Sequence, residues 1–210
     1  MRGYGQFCAL AKALDVVGDR WTLLIVRELM LRGRARYTDL RNGLPNIASN
    51  LLADRLRQLE TAGVVRREDA PPPVATALYE LTDRGLALRS VLREIGRWGA
   101  PLLSESDEAD DVRGYWIGLP AELHLADGKP SEAPVTLEVR ADDEPVTLMI
   151  GNGAVRSRIG AAERPDAVLT GASRDIARVL FSPRPADAAR APGLRYQGDR
   201  SVLARLKHVD

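Results

Sequence analysis

The chain has 210 residues, 45% of them hydrophobic and 28% charged, with a formal net charge of +1; this is enough for one large domain or two small ones, each with its own core. No apolar run reaches the length of a membrane span, and Met1-Arg2-Gly3-Tyr4-Gly5 lacks the apolar segment and cleavage site of a secretory signal, so a cytoplasmic protein that does not touch the membrane is expected. A single cysteine excludes a disulfide within the chain, and Cys8 with the distant His124 and His208 makes no structural zinc set.

No phosphate-cradling glycine loop and no Ser/His/Asp arrangement stands out, so neither a catalytic site nor a cofactor is expected. In chain order, Phe7 to Val17 has a helical pattern, Gly18-Asp19 interrupts it, and Arg20 to Leu31 forms a second helix with Trp21, Leu24, Ile25 and Leu29 on its apolar side. Tyr37 to Leu44 reads as a short helix that Thr38 can cap and that Gly43 and Pro45 end. Leu44-Pro45-Asn46-Ile47 leaves only a tight turn before the next helix, Ala48 to Thr61, which Ala62-Gly63 closes. Val64 to Arg67 is then a short strand, Ala70-Pro71-Pro72-Pro73 an unpairable tip, and Ala77 to Leu81 a returning strand. From Thr82 another helix is predicted through Leu88, Val91, Leu92, Ile95 and Trp98 to Leu103. Two short helices followed by a β-hairpin are the plan of a winged helix-turn-helix.

On the second helix of the pair, Leu52, Leu56 and Leu59 fall on one face and Asn50, Ala53, Asp54 and Arg57 on the other. Ser49, Asn50 and Ala53 occupy the first turns, which in such motifs approach base edges, and Arg57 lies nearer the phosphates. Arg36 and Thr38 at the first helix, with Arg66 and Arg67 on the hairpin, complete the candidate DNA-facing set. Taken alone the wheel fits an ordinary surface helix; the hairpin after it decides for double-stranded DNA. The charge distribution agrees, since residues 1–105 carry 16 Lys and Arg against 12 Asp and Glu, and the remainder 14 against 17. The flanking helices, Cys8 to Val17 and Leu86 to Leu103, are more apolar than a small winged domain can cover, which points to a homodimer and a palindromic operator.

Ser104 to Asp111 is acidic and nearly free of apolar groups, and reads as a linker. Beyond it, Val112 to Leu125 is helical in pattern despite Gly114, Gly118 and Pro120. Strands are predicted at Val135 to Arg140, Val146 to Ile150, Ala154 to Ile159, Ala167 to Thr170 and Leu194 to Gln197. Helices are expected from a Ser173 cap to Phe181, from Pro185 to Ala191, and from an Asp199 cap to Val209. The expected fold is thus a mainly α winged helix-turn-helix domain over residues 1–103, the linker 104–111, and a small α+β domain over 112–210, with antiparallel strands and helices on one side.

Residues 7–103 resemble the HxlR family of bacterial winged-helix regulators through Cys8, Ala13 to Ile25, Arg36-Tyr37-Thr38-Asp39-Leu40, Leu52 through Glu60, Gly63 and Leu81-Thr82-Asp83-Arg84-Gly85. The resemblance implies a dimeric transcription factor, and a cysteine at the place of Cys8 senses oxidants or electrophiles in some members. Ala9 replaces the proline that usually follows that cysteine, and Pro71-Pro72-Pro73-Val74 replaces the Pro-Pro-Arg common at the wing tip. From its neighbours alone, Cys8 is expected to be a packing residue, with redox regulation the alternative. Residues 112–208 resemble a sterol-carrier-protein-type domain through Pro165 to Gly171, the following helix and Gly193 to Asp199. That resemblance implies an apolar pocket lined by Leu148, Ile150, Val179, Leu180, Phe181 and Leu203; by themselves these side chains are expected to fill a core. The functional expectation is a dimeric, sequence-specific repressor modulated by a small apolar ligand, the alternatives being Cys8-based sensing and, from another class, a lipid-binding carrier.

Overall fold

The computed structural model describes residues 3–69, 76–105, 110–142 and 144–209. The chain divides into two compact units, Met1–Ile95 and Gly96–Asp210. The division falls within a helix, upstream of the acidic segment.

The first unit opens with α1 (Ala9–Val17) and α2 (Thr22–Arg32), followed by the two-residue strand β1 (Ala35–Arg36), which the sequence pattern did not reveal. Then come α3 (Tyr37–Gly43), α4 (Ser49–Thr61), β2 (Val65–Asp69) and β3 (Ala77–Leu81). Thr38 is not the cap of α3: the helix starts one residue earlier, and the Asp39 carboxylate accepts the Arg36 backbone N–H at 2.9 Å. A carboxylate at that position satisfies an orphan donor and suits the positive end of the helix. β3 lies between β1 and β2, antiparallel to both, with Arg66 opposite Glu80 and Arg67 opposite Tyr79. The proline-rich tip, residues 70–75, lies outside the described residues.

Leu40, Leu44, Leu52, Leu56 and Leu59 are at most 1% exposed and meet Ile25, Val26 and Leu29 of α2 and Val64 and Val65 of the hairpin in one core. Gly63, at φ +69°, turns the chain out of α4. The helix predicted from Thr82 to Leu103 is broken into α5 (Asp83–Leu86), α6 (Arg89–Gly99) and a 3₁₀ turn (Ala100–Glu105) that covers the first two residues of the expected linker. Packing sets the break. A Cβ on Gly85 would stand 2.2 Å from the Val64 carbonyl oxygen, so α5 is pressed against the hairpin while Leu88 and Leu92 turn onto the core. Linker residues 106–109 lie outside the described residues.

In the second unit the helix expected from Val112 is a 3₁₀ turn (Gly114–Ile117) followed by α7 (Gly118–His124). Pro120 sits in the first turn of α7, where no intrahelical N–H is required. The chain continues through β4 (Leu125–Asp127), β5 (Val135–Ala141), β6 (Val146–Gly151), β7 (Ala154–Ile159), β8 (Ala167–Gly171), α8 (Ser173–Leu180), a 3₁₀ turn (Pro185–Arg190), β9 (Arg195–Gly198), α9 (Ser201–Ala204) and β10 (Leu206–His208). The five-stranded sheet runs β7-β6-β5-β8-β9, and β10 pairs with β4 separately.

Three expectations fail here. The sheet is not wholly antiparallel: β5 and β8 are parallel. Asp166 fixes this, because its carboxylate accepts the Thr136 N–H at 2.7 Å and its own N–H donates to the Thr136 carbonyl at 3.0 Å, holding the starts of both strands side by side. Ser173 is the first residue of α8 rather than its cap, and its N–H donates to the Asp142 carboxylate at 2.9 Å. The last helix stops at Ala204. Asp199 does accept the Ser201 N–H, at 2.8 Å, but Arg205 then turns inward and the chain ends as β10.

Arg205 is the largest fully buried side chain of this unit. Its Nε and Nη2 donate to the two oxygens of Asp127 at 3.0 and 2.9 Å, and its Nη1 donates to the Ala133 carbonyl at 2.6 Å. These bonds tie β4 to the chain end. Hydrogen bonding from Arg205 holds the Asp127 carboxyl below its ordinary value. A carboxyl depressed by folding stabilises above its unfolded value and loses that contribution as pH falls through its folded one. The second unit is therefore expected to lose stability below about pH 4, and Asp127→Asn to lower its urea midpoint at pH 7 while weakening this acid dependence. In the first unit, Leu56→Ala is expected to cost about 2–5 kcal/mol, against less than about 0.5 for the exposed Arg57→Ala, both measured by urea unfolding.

Candidate nucleic-acid interface

The turn between α3 and α4 is built from its buried residues. Leu44 and Ile47 point into the core, Asn46 takes φ +67°, and the Ile47 N–H donates to the Leu44 carbonyl at 3.3 Å. Asn tolerates that left-handed conformation better than most residues. Across the turn, the Tyr37 hydroxyl donates to the Ser49 carbonyl at 2.7 Å and fastens the start of α3 to the start of α4. Sequence reasoning passed over this strut, because nothing about an isolated tyrosine announces a partner twelve residues away.

With the leucines buried, the outer face of α4 follows. Ser49, Asn50, Asp54 and Arg57 are exposed and Ala53 is half-buried. Arg36 and Thr38 are exposed at the head of α3, and Arg66 and Arg67 on β2. All nine predicted side chains therefore lie at the surface of the winged unit. Beside α4, Asp54, Arg57, Gln58, Thr61 and Ala62 line a depression of about 390 Å³.

Four cations of this surface, Arg34, Arg57, Arg66 and Arg67, have carboxylate neighbours. Arg57 pairs with Asp54 one turn back on α4; Arg66 Nε donates to Glu80 at 2.8 Å, and Arg67 meets Asp69 at 3.1 Å. Arg34, which the sequence pattern did not single out, reaches Glu68 at 2.5 Å and Glu80 at 3.7 Å. Arg55 is drawn away from this face by Asp19 and Gln58. Hydrogen bonding to Glu80 raises the Arg66 pKa, so its charge is fixed. Exposed pairs of this kind contribute little to stability, so a phosphate can compete for the same donors.

A short helix pair with a polar second helix, followed by an antiparallel hairpin carrying arginines, defines a winged helix-turn-helix protein. Residues 16–107 match the family model described as HxlR-like helix-turn-helix, and the chain belongs to that family. It is 39% identical over 95 residues to the uncharacterized HTH-type transcriptional regulator YvaP of Bacillus subtilis (strain 168), which spans 45% of this chain and 87% of YvaP. It is 32% identical over 98 residues to the HTH-type transcriptional regulator YodB of the same organism, over 47% of this chain and 87% of YodB. The solved reduced form of B. subtilis YodB superposes with a TM-score of 0.42 at 31% identity, covering 49% of this chain and all of that one (100%). The shared part is the winged unit, and the family membership makes the chain a transcriptional regulator of helix-turn-helix type.

The predicted residues outside the winged surface fall as follows. Cys8 is exposed immediately before α1 and does not pack into the core of its own chain. The physical reason is that Phe7, Leu10 and Leu14 around it are exposed too, and α1 buries only Ala11. In the second unit Leu148, Ile150, Leu180 and Leu203 are fully buried in the core, with Val179 and Phe181 packed against it. Phe181 also borders a surface depression of about 440 Å³ with Pro183, Pro185, Leu206, Lys207 and His208.

Glu80 is the shared counter-charge of Arg34 and Arg66 at the hairpin. Glu80→Gln is expected to tighten binding to duplex DNA about threefold to tenfold at ~0.1 M salt and to steepen the salt dependence, as measured by fluorescence anisotropy of a labelled duplex across a salt series.

Proposed function

We propose that the protein is a homodimeric, sequence-specific transcription factor that reads a palindromic operator with Ser49, Asn50 and Ala53 and grips phosphates with Arg57, Arg66 and Arg67, with Arg36 and Thr38 at its edge. One observation carries the reading: the exposed residues of α4's first turns are small and amide-bearing, and Arg57 stands further along the same face. Asn addresses adenine through paired donor and acceptor, Ser adapts to either partner, and a small Ala lets the helix approach the groove. Occlusion of a promoter by such a dimer represses. In this reading residues 1–103 bind DNA and dimerise, the segment around 104–111 links, and residues 112–210 form an effector domain resembling a sterol-carrier-protein-type domain. A small apolar ligand there, bordering Phe181, would regulate only by binding the DNA-competent and incompetent dimers with different affinity.

Support for the dimer comes from exposed apolar side chains. Phe7 just before α1 and Leu10 and Leu14 along it stand out, and Val91, Ile95 and Trp98 follow at helical spacing along α6. Surface of this kind on a monomer marks an interface. Ile95→Glu with Leu14→Glu is expected to convert the dimer to a monomer in sedimentation velocity and to weaken operator binding with it.

A gel shift against DNA upstream of the protein's own gene, with excess non-specific competitor, tests the DNA reading. Arg57→Ala is expected to weaken the specific shift about tenfold and to reduce the salt slope by about 1 per half-site. Unchanged binding by Arg57→Ala and Asn50→Ala together would remove the assigned face.

The exposure of Cys8 favours a second reading, in which the operator is released when Cys8 is oxidised or alkylated. A thiol that is accessible and next to a dimer face changes the fit of that face when it is modified. Cys8→Ser is expected to bind the operator as the wild type does and to lose sensitivity to diamide; retained sensitivity would end this reading.

A further inference from the structure

We infer that the second unit carries an auxiliary, sequence-independent contact for the phosphate backbone of duplex DNA, formed by Arg184, Arg190, Arg195 and Arg200 with Arg178 and Lys207 beside them. The inference rests on the DNA-binding reading of the first unit and extends it to the second.

The second unit is strongly polarised along its sequence. Residues 110–172 carry six Lys and Arg against eleven Asp and Glu, whereas residues 173–209 carry eight against three. A net balance near zero for the whole chain conceals this division. The fold gathers the basic part. The 3₁₀ turn Pro185–Arg190 packs against α8, β9, α9 and β10, so the chain segments that carry these cations meet around one turn. Pro183, Pro185, Lys207 and His208 line one depression there, which sets Lys207 beside the segment holding Arg184. The His208 ring Nε2 lies 2.7 Å from the Ser182 carbonyl and fixes the end of β10 to the same segment.

These cations differ from the three arginines assigned to phosphate in the winged unit. Arg57, Arg66 and Arg67 each have a carboxylate partner. Among the described residues, exposed Arg184, Arg190, Arg195, Arg200 and Lys207 have no ion pair, and only Arg178 is held, by Asp175 at 2.9 Å. Arg205, between α9 and β10, is committed to Asp127 and takes no part. Unpaired guanidinium groups at the surface need not give up a protein partner to meet a phosphate, so their full charge is available for counterion release.

The surroundings select duplex phosphate over other polyanions. From 173 to 209 the only large apolar side chain that is exposed is Val209, so the face lacks the Trp, Phe and Leu anchors by which a basic surface enters a bilayer interface. The aromatic residues of the region, Phe181 and Tyr196, are half-buried and the Tyr196 hydroxyl donates to the Asp199 carbonyl at 2.6 Å, which leaves no stacking platform for unpaired bases. Covalent attachment to a DNA-reading unit gives this face a high effective concentration of duplex, so even weak phosphate contacts add to affinity.

The test uses the full chain, with an operator duplex trimmed to the footprint and the same operator with long flanks. Arg184, Arg190, Arg195 and Arg200 are all changed to Ala, and separately all to Lys. Wild type is expected to bind the flanked duplex at least about tenfold tighter than the all-Ala protein at ~0.1 M salt, with a salt slope steeper by up to about 3–4 per protomer. The all-Lys protein is expected to follow wild type, which separates charge from folding. Equal affinity and slope for wild type and the all-Ala protein on the flanked duplex, with Arg57 dependence intact, would overturn the auxiliary contact and leave the DNA reading standing. Failure of wild type to bind either duplex would overturn both. If the four changes abolish binding to phosphatidylglycerol vesicles but leave the flanked duplex untouched, the face serves a membrane and the inference is wrong.

Discussion

The winged unit depends on the burial of five leucines against α2 and the hairpin. Leu40 and Leu44 come from α3 and its turn, Leu52, Leu56 and Leu59 from α4, and all five are essentially excluded from solvent. Two short helices have little stability of their own, since a helix of seven residues cannot offset the entropy of its nucleation in water. Their angle is therefore decided by which side chains reach the common core. Once Leu44 and Ile47 are buried, the turn has one way to run, and Asn46 accepts the positive φ that results. The polar face of α4 is what this packing leaves outside.

The electrostatics of that face are moderated. Each arginine assigned to phosphate has a carboxylate neighbour, so the free protein presents a surface of ion pairs rather than a bare positive field. Such an arrangement lowers affinity for arbitrary polyanions while leaving good donors in place, because exposed pairs contribute little and exchange readily. Under the proposed function, specificity then falls to Ser49 and Asn50 as readers of base edges and to the close approach that Ala53 would permit. The second unit presents the opposite case, since Arg184, Arg190, Arg195 and Arg200 have no ion pair among the described residues. A division of this kind would let one unit choose the site and the other add salt-sensitive affinity.

The second unit is stabilised on a different principle. Its core is centred on a five-stranded sheet, and separately a bidentate, almost fully buried pair, Arg205 with Asp127, joins β4 to the segment leading into β10. A buried arginine with each carboxylate oxygen bonded, and a carbonyl on its remaining nitrogen, fixes geometry that apolar contacts leave loose, though it contributes less to net stability than its appearance suggests. The last helix is short because the chain after Ala204 leaves it to pair Leu206, Lys207 and His208 with β4.

Much of this was legible in the sequence for one reason: hydrophobic period and turn chemistry act locally. The leucine spacing of α4, Gly63 after it, the alternation of β3 and the proline-rich interruption each depend on neighbours within a few residues, and the winged plan followed from them. The outward set from Ser49 to Arg57 followed from the same wheel. What the tertiary structure alone decided involves partners far apart in the chain. The exposure of Cys8, the strand β1, the Tyr37–Ser49 strut, the Glu80 counter-charge, the parallel pairing of β5 with β8 through Asp166, and the gathering of the C-terminal arginines around one 3₁₀ turn all depend on long-range packing. Periodicity assigns a side chain to a face; only the assembled core determines what that face meets.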